Sequence, residues 1–179
     1  MATKNKKNTT KKIGIFYSFR SVKTKQQVHK MVKLLGEGNV DEINVDVTTG
    51  KEIASYDYLI LAVPTWFDGE LPNYWDELVP DMEDVSFDGK KVAVFGGGNQ
   101  KGYSENFVDG IGIMAKFIEE RGAKIVGYTS IEGYTFEYSK AQRGNQFIGL
   151  ALDIENQAAL TNQRIENWVS VLKREFDLE

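Results

Sequence analysis

The chain of 179 residues has the length of one domain, and a hydrophobic content of 41% is enough for one large buried core. Because it contains no cysteine and a single histidine, disulfides, iron–sulfur clusters, thiolate metal sites and sites built from several histidines are excluded. Five of its 22 basic residues are lysines within residues 1–12, so the remainder has 17 basic and 26 acidic residues and a net charge of −9, which disfavours nucleic acid and anionic membranes as partners.

The N-terminal segment is polar and basic. We expect residues 1–11 to form a disordered tail ahead of one domain that spans residues 12–179. The segment lacks the apolar stretch of a signal peptide, and no apolar run in the chain approaches the roughly 20 residues of a transmembrane helix. We therefore expect a cytoplasmic, monomeric protein.

Short apolar runs of strand-forming residues predict five strands, at residues 12–18, 40–47, 58–63, 91–96 and 124–130. Helical periodicity lies between them, and an amphipathic helix near the end of the chain is expected to have Thr161 as its N-cap. Residues 131–146 are polar and aromatic before an apolar run resumes at 147–152, so we expect an insertion that splits the fifth strand. This alternation predicts a doubly wound α/β fold, with a parallel sheet covered by helices on both faces.

Three loops follow the carboxyl ends of predicted strands, where parallel sheets bind ligands: residues 18–24, 64–75 and 96–107. The first loop opens a helix, whose free N–H groups favour an anion, and Ser21 and Thr24 add hydroxyl donors. Simple helix capping would explain the same residues. The loop lacks the Walker sequence, which makes ATP and GTP poor candidates.

Aromatic side chains occur in the other two loops. Trp66 directly follows an apolar strand, and Tyr103 lies in a glycine-rich loop that begins GGG at Gly96. Each aromatic could simply pack in the fold, but two rings at adjacent strand ends could also enclose a flat heterocycle. The glycines would allow the backbone to approach such a ring closely.

Several segments resemble the long-chain flavodoxins: PTWFDGE at 64–70, FGGGNQKGYSENF at 95–107, RGAKIVGY at 121–128, FIGLALDIENQ at 147–157 and TNQRIENWV at 161–169. The resemblance implies the flavodoxin-like sheet with strand order 2-1-3-4-5. It also implies a low-potential one-electron carrier, not an enzyme, that uses noncovalently bound FMN. Trp66 would cover one face of the isoalloxazine ring and Tyr103 the other.

The resemblance places the cofactor-binding residues in the same three loops. The phosphate would lie on the first loop, formed by Ser18, Phe19, Arg20, Ser21, Val22, Lys23 and Thr24. The ring would lie between the second loop, with Pro64, Thr65, Trp66, Phe67, Asp68 and Gly69, and the third, with Gly97, Gly98, Asn99, Gly102, Tyr103 and Asn106. Backbone groups near Phe67, Asp68, Asn99 and Gly102 would contact the edge of the ring.

The first loop departs from the family pattern T-x-T-G-x-T, because Phe19 and Val22 replace a threonine and the glycine. If that glycine needs a positive φ or close approach to the phosphate, Val22 would cost about 1–3 kcal/mol and weaken FMN binding. Arg20 and Lys23 could compensate through charge-assisted hydrogen bonds. Asn99 replaces an aspartate that many relatives have, which removes one negative charge beside the ring.

An acidic segment follows the third strand, with eight acids and no basic residue between positions 64 and 89. Its field would lower the potential of an anionic reduced flavin, and it could dock basic partners such as a ferredoxin/flavodoxin-NADP reductase and low-potential acceptors. Two alternatives stay open. Phe19 and Val22 motivate a flavin-free or weakly FMN-binding interaction module, whereas an FMN-dependent NAD(P)H:quinone reductase would need one ring face uncovered.

Overall fold

A parallel sheet lies at the centre of the computed structural model, which describes residues 12–179. Its strands are β1 (Ile13–Tyr17), β2 (Val40–Asn44), β3 (Tyr58–Ala62), β4 (Lys91–Gly97) and β5 (Lys124–Val126). They pair in the order β2-β1-β3-β4-β5, and all four pairs are parallel. The predicted order is confirmed. The predicted tail, residues 1–11, lies outside the described residues.

The fifth strand is split, as predicted. β5 ends at Val126, and β9 (Leu150–Leu152) continues the pairing along β4, with Phe95 opposite Leu150. Between them, β6 (Thr129–Ser130), β7 (Gln142–Arg143) and β8 (Gln146–Phe147) form a small antiparallel sheet in the order β6-β8-β7. The sequence did not predict this sheet, because strands of two residues are too short to show a period.

Helices cover both faces of the sheet: α1 (Val22–Leu35), α2 (Gly50–Ile53), α3 (Asn73–Met82), α4 (Asp109–Glu119) and α5 (Thr161–Glu175). One core contains α1 and α5, and the other contains α3 and α4. The largest buried side chains, Trp75 and Trp168, each donate their indole N–H to a backbone carbonyl, of Ala62 at 2.8 Å and of Gly127 at 2.7 Å. No helix within residues 12–179 combines the length and the apolar character needed to cross a membrane.

The N-terminus of α5 differs from the prediction. Thr161 is the first residue of the helix, and Leu160 holds the cap position without a side-chain hydrogen bond. The 3-10 turn Ala158–Leu160 leads directly into α5, so the residue before the helix is not extended. A side-chain hydroxyl caps a helix from such an extended position, and Thr161 does not hold it. The prediction of Thr161 as N-cap is therefore wrong.

Candidate functional site

A cleft of about 720 Å³ opens at the carboxyl ends of β1, β3 and β4 and brings the three predicted loops together. From the first loop and α1 it is lined by Ser18, Arg20, Ser21, Lys23, Thr24 and Gln27, and from the second loop and α3 by Pro64, Thr65, Trp66, Asn73 and Tyr74. Gly97, Gly98, Asn99 and Tyr103 of the third loop complete it, together with Ile154 and Glu155.

Not every predicted residue lines this cleft. Phe19, Val22, Phe67 and Gly69 do not line it, and Asp68, Gly102 and Asn106 border a neighbouring groove next to Tyr103. Conversely, sequence reasoning missed Gln27, Asn73, Tyr74, Ile154 and Glu155. The last two could have been found, because they follow β9 and the strand-end rule applies equally to the second half of a split strand.

The first loop ends in a helix N-terminus with free donors. Ser21 is the N-cap of α1: its hydroxyl accepts the N–H of Thr24 at 3.4 Å and donates to the hydroxyl of Thr24 at 2.8 Å. The N–H groups of Arg20, Val22 and Lys23 have no hydrogen-bond partner within residues 12–179. These donors and the positive end of the helix dipole favour an anion at this point.

The strain expected at Val22 is absent. Val22 is the first residue of α1 and has no positive φ; among described non-glycine residues, only Phe67, Val108 and Asp177 have one. A valine adopts helical backbone angles without strain, and this side chain is 70% exposed, outside the cleft. Val22 therefore costs nothing through a positive φ. A cost through close approach to the phosphate, and the weaker FMN binding that would follow from it, stay predictions.

Phe19 also lies away from the cleft. Its ring packs on Tyr17, with ring centroids 4.8 Å apart, and its N–H donates to Oδ1 of Asn44 at 3.2 Å. That N–H is thus unavailable to a ligand.

The two cations of the first loop are paired with acids from other loops. A guanidinium nitrogen of Arg20 contacts Asp46, which follows β2, and Lys23 Nζ lies 3.0 Å from Glu155 Oε1. Asp46 also accepts a hydrogen bond of 2.6 Å from the hydroxyl of Ser18. Burial raises the pKa of Tyr74 in the cleft wall, and Asp46 raises it further while Arg20 opposes the rise. The charges of Asp46 and Arg20 therefore both affect Tyr74 in the wall of the cleft.

A tight turn presents Trp66. The backbone groups of Trp66 and Glu70 exchange hydrogen bonds of 2.9 and 2.8 Å, and the turn between them contains positive φ angles of 46° at Phe67 and 91° at Gly69. Trp66 meets the buried Tyr74 edge-on, with ring centroids 5.7 Å apart. Trp66 is 37% exposed, so part of the residue is fixed by packing and part stays open to a ligand.

The third loop is held by side-chain amides. Asn99 Oδ1 accepts the N–H groups of Lys101 at 3.2 Å and of Gly102 at 2.8 Å, and it also accepts Asn156 Nδ2 at 2.8 Å. The Gly102 N–H is thus occupied within the loop, and the contact that the resemblance implies between the ring edge and backbone groups near Gly102 stays a prediction. The backbone N–H of Tyr103 bonds the carbonyl of Asn99 at 2.9 Å, and the Tyr103 ring is 49% exposed.

Asp153 holds this loop in place through hydrogen bonds to its buried carboxylate. The residue is 1% exposed and accepts the backbone N–H of Gln100 at 3.0 Å, the Gln100 side-chain amide at 2.7 Å and the backbone N–H of Asn156 at 3.0 Å. Burial alone would raise the pKa of Asp153, but the hydrogen bonds from Asn156 and Gln100 outweigh it and hold the pKa below its usual range. Asp153 is therefore an ionised anchor for the third loop.

The three glycines that open the third loop have different roles. A Cβ at Gly96 would overlap the carbonyl oxygen of Val63, which follows β3, and one at Gly98 would come within 2.8 Å of Val108. At Gly97 the nearest atom would be 3.8 Å away. Packing within the protein explains Gly96 and Gly98, whereas a side chain at Gly97 would begin in ordinary van der Waals contact.

These features fit a ligand that has a flat ring at one end and a phosphate at the other. Exposed aromatic rings line one end of the cleft, and unpaired N–H groups, hydroxyls and two cations lie at the other. FMN, the cofactor that the resemblance implies, has this combination of groups.

Comparisons with known proteins agree with this chemistry. The family model for flavodoxins matches residues 15–168. The chain is 45% identical to the flavodoxin of Synechococcus elongatus over 93% of its own length and 99% of that protein, and 45% identical to a flavodoxin of Nostoc over 94% and 99%. The structure of Fusobacterium nucleatum flavodoxin bound to FMN superimposes with a TM-score of 0.87 at 37% identity, covering 92% of this chain and 98% of that one.

These relatives support neither the flavin-free interaction module nor the quinone reductase. The chain therefore belongs to the flavodoxin family and is an FMN-dependent electron carrier, not an enzyme.

Proposed function

We propose that FMN lies in the cleft with its ring between Trp66 and Tyr103 and its phosphate on the first loop. The observation that carries this proposal is the cleft itself, which joins two exposed aromatic side chains to a helix N-terminus with free donors. When bound, FMN supplies reversible one-electron chemistry. The residues of this chain bind it, orient it and limit its contact with water.

At the phosphate end, the donors are the hydroxyls of Ser21 and Thr24 and the free N–H groups of Arg20, Val22 and Lys23. The side chains of Arg20 and Lys23 add positive charge. The hydroxyl of Ser18 already donates to Asp46, so Ser18 forms part of the wall of the site and does not donate to the phosphate. Phe19 contributes packing on Tyr17.

At the ring end, Trp66 and Tyr103 provide the stacking surfaces, and Pro64, Thr65, Gly97, Gly98 and Asn99 line the wall between them. Thr65 also accepts the N–H of Gly110 at 2.9 Å, which ties this wall to α4. The remaining predicted residues are placed around the ring edge: Phe67, Asp68 and Gly102 are exposed there, Asn106 is half-buried, and Gly69 is buried behind them. Phe67 is 68% exposed, which supports this edge as the place where electrons enter and leave the flavin.

The acidic segment is the proposed docking surface. Its eight acids, Asp68, Glu70, Asp76, Glu77, Asp81, Glu83, Asp84 and Asp88, are all exposed, and none of them forms an ion pair within residues 12–179. Unpaired charges of one sign attract a basic partner and steer its approach. We infer cytoplasmic partners of two kinds, a ferredoxin/flavodoxin-NADP reductase as donor and low-potential proteins as acceptors.

Two variants test the placement of FMN at its two ends. Trp66→Ala removes a stacking surface and is expected to weaken binding of both FMN and riboflavin by about tenfold or more. Arg20→Gln combined with Lys23→Gln is expected to weaken FMN by about tenfold and to leave riboflavin unchanged, because riboflavin has no phosphate. Fluorescence titration measures both affinities. If the double variant weakened both flavins equally, the proposed phosphate position would be wrong.

The docking surface has its own test. The rate at which a ferredoxin-NADP reductase reduces the protein should fall as ionic strength rises, because salt screens attraction between exposed charges. A rate that does not depend on salt would contradict electrostatic docking.

A further inference from the structure

Two ion pairs lie at the proposed phosphate end of the cleft, and each joins a cation of the first loop to an acid of another loop. Arg20 contacts Asp46, and Lys23 lies 3.0 Å from Glu155. Arg20, Lys23 and Glu155 all line the cleft, and Asp46 is bonded to Ser18, which lines it too. The two acids therefore cancel the positive charge of the loop at the point where a phosphate dianion would bind.

We infer that Arg20 and Lys23 exchange their carboxylate partners for the phosphate of FMN, so that Asp46 and Glu155 set how strongly this chain prefers FMN to riboflavin. This inference rests on the proposed position of the phosphate. A phosphate monoester has about twice the charge of a carboxylate and three acceptor oxygens, so it can displace a single carboxylate from each cation.

The cations are free to make this exchange. The side chains of Arg20 and Lys23 are 76% and 67% exposed, so each cation can turn to a new partner without disturbing the buried core. Breaking either pair therefore leaves the fold intact. The exchange is a matter of ligand affinity and not of protein stability.

The two acids are not equivalent. The side chain of Asp46 is only 14% exposed and is held by the 2.6 Å hydrogen bond from Ser18, so it stays beside the site after Arg20 turns to the phosphate. Glu155, with 57% of its side chain exposed, is able to turn into solvent. A fixed negative charge repels the phosphate more than a mobile one does, and Asp46 is therefore the stronger determinant.

The test compares three variants of the full chain by fluorescence titration with FMN and with riboflavin. Asp46→Asn keeps the shape and the acceptor for Ser18 but removes the charge, and should tighten FMN binding about fivefold, equivalent to ~1 kcal/mol. Glu155→Gln should tighten it about twofold. Neither should change riboflavin binding by more than about twofold.

Glu166→Gln is the matched control. Glu166 pairs with Lys30 of α1 at 2.8 Å, much as Glu155 pairs with Lys23, but neither residue lines the cleft. This variant should leave both affinities unchanged. Dilution of each FMN-loaded protein, followed by the fluorescence of released flavin, checks the same order through the dissociation rates without any need for stable apoprotein.

The outcomes separate the inference from the proposal on which it rests. If the unmodified chain binds FMN and riboflavin equally, the phosphate does not lie on the first loop and both are wrong. If it prefers FMN but Asp46→Asn fails to tighten FMN binding, or weakens it, the exchange of partners is overturned while the FMN site stands. Equal tightening by Glu166→Gln would reduce the effect to net charge and also overturn it.

Discussion

Replacing Asp153 by alanine would remove the anchor of the third loop. The carboxylate is buried and receives hydrogen bonds from the backbone and side chain of Gln100 and from Asn156. A buried donor that loses its partner costs about 1–3 kcal/mol, and more when the partner was charged. With at least two donors left unpaired, we expect Asp153→Ala to lower the free energy of unfolding by about 3–5 kcal/mol.

The same change should also loosen the cofactor site. Gln100 Oε1 accepts the N–H of Thr135 at 2.6 Å, and Asn156 donates to Asn99, so Asp153 links the insertion to the loop that carries Tyr103. We expect FMN and riboflavin to lose affinity by similar factors, because this loop lies at the ring end. Such a pattern differs from that of the charge variants at the phosphate end.

Urea unfolding, followed by circular dichroism, measures the effect on stability, with Glu155→Gln as a nearby exposed control. The pKa of Asp153 is lower in the folded state than the unfolded value of about 3.9. Its contribution is therefore fully present above pH ~4 and is lost as the pH falls through the folded value. The difference between the unmodified chain and Asp153→Asn should shrink in acid. A loss below about 1 kcal/mol for Asp153→Ala at pH 7 would refute this reasoning.

Three further predictions concern Gly96, Asn99 and Asp109. Gly96→Ala forces a methyl group against Val63 and should destabilise the fold by about 2 kcal/mol or more, whereas Gly38→Ala, in open space, should change it by less than about 1 kcal/mol in the same urea assay. Asn99→Asp adds a negative charge at the cleft and should lower the potential of the second one-electron reduction by tens of millivolts, on the order of 1 kcal/mol, in a redox titration; a rise would contradict it. Burial raises the pKa of Asp109, so ionisation of this carboxyl group opposes folding, and stability is lost as the pH rises through the pKa of the folded state. Asp109→Asn should therefore make the melting temperature less dependent on pH above pH ~4. An unchanged pH dependence in thermal unfolding would contradict this prediction.

The central sheet was predictable because its inner strands are buried on both faces. Every residue of β1 and β3 is buried, and such strands form uninterrupted apolar runs in the sequence. The cleft followed from the same pattern through the rule that ligands bind at the carboxyl ends of parallel strands. Trp66 and Tyr103 were identified in this way.

The ion pairs of the first loop were not predictable. Arg20 and Asp46 are 26 residues apart, and Lys23 and Glu155 are 132 apart, so no local pattern indicates either pair. The φ angle at Val22 could not be predicted from the sequence either. A positive φ is one reason why a position needs glycine, and it does not apply here, because Val22 is the first residue of a helix. The two-residue strands of the insertion form through contacts with each other and not through a pattern of their own.

The visible absorption spectrum of the purified protein during stepwise anaerobic reduction tests the central claim most directly. A one-electron FMN carrier should be yellow when isolated or after addition of FMN. Its reduction should proceed in two separate steps, with a long-wavelength absorbance band that rises in the first and falls in the second. A preparation that stays colourless after addition of FMN, or a bound flavin that bleaches in one two-electron step, would contradict the account.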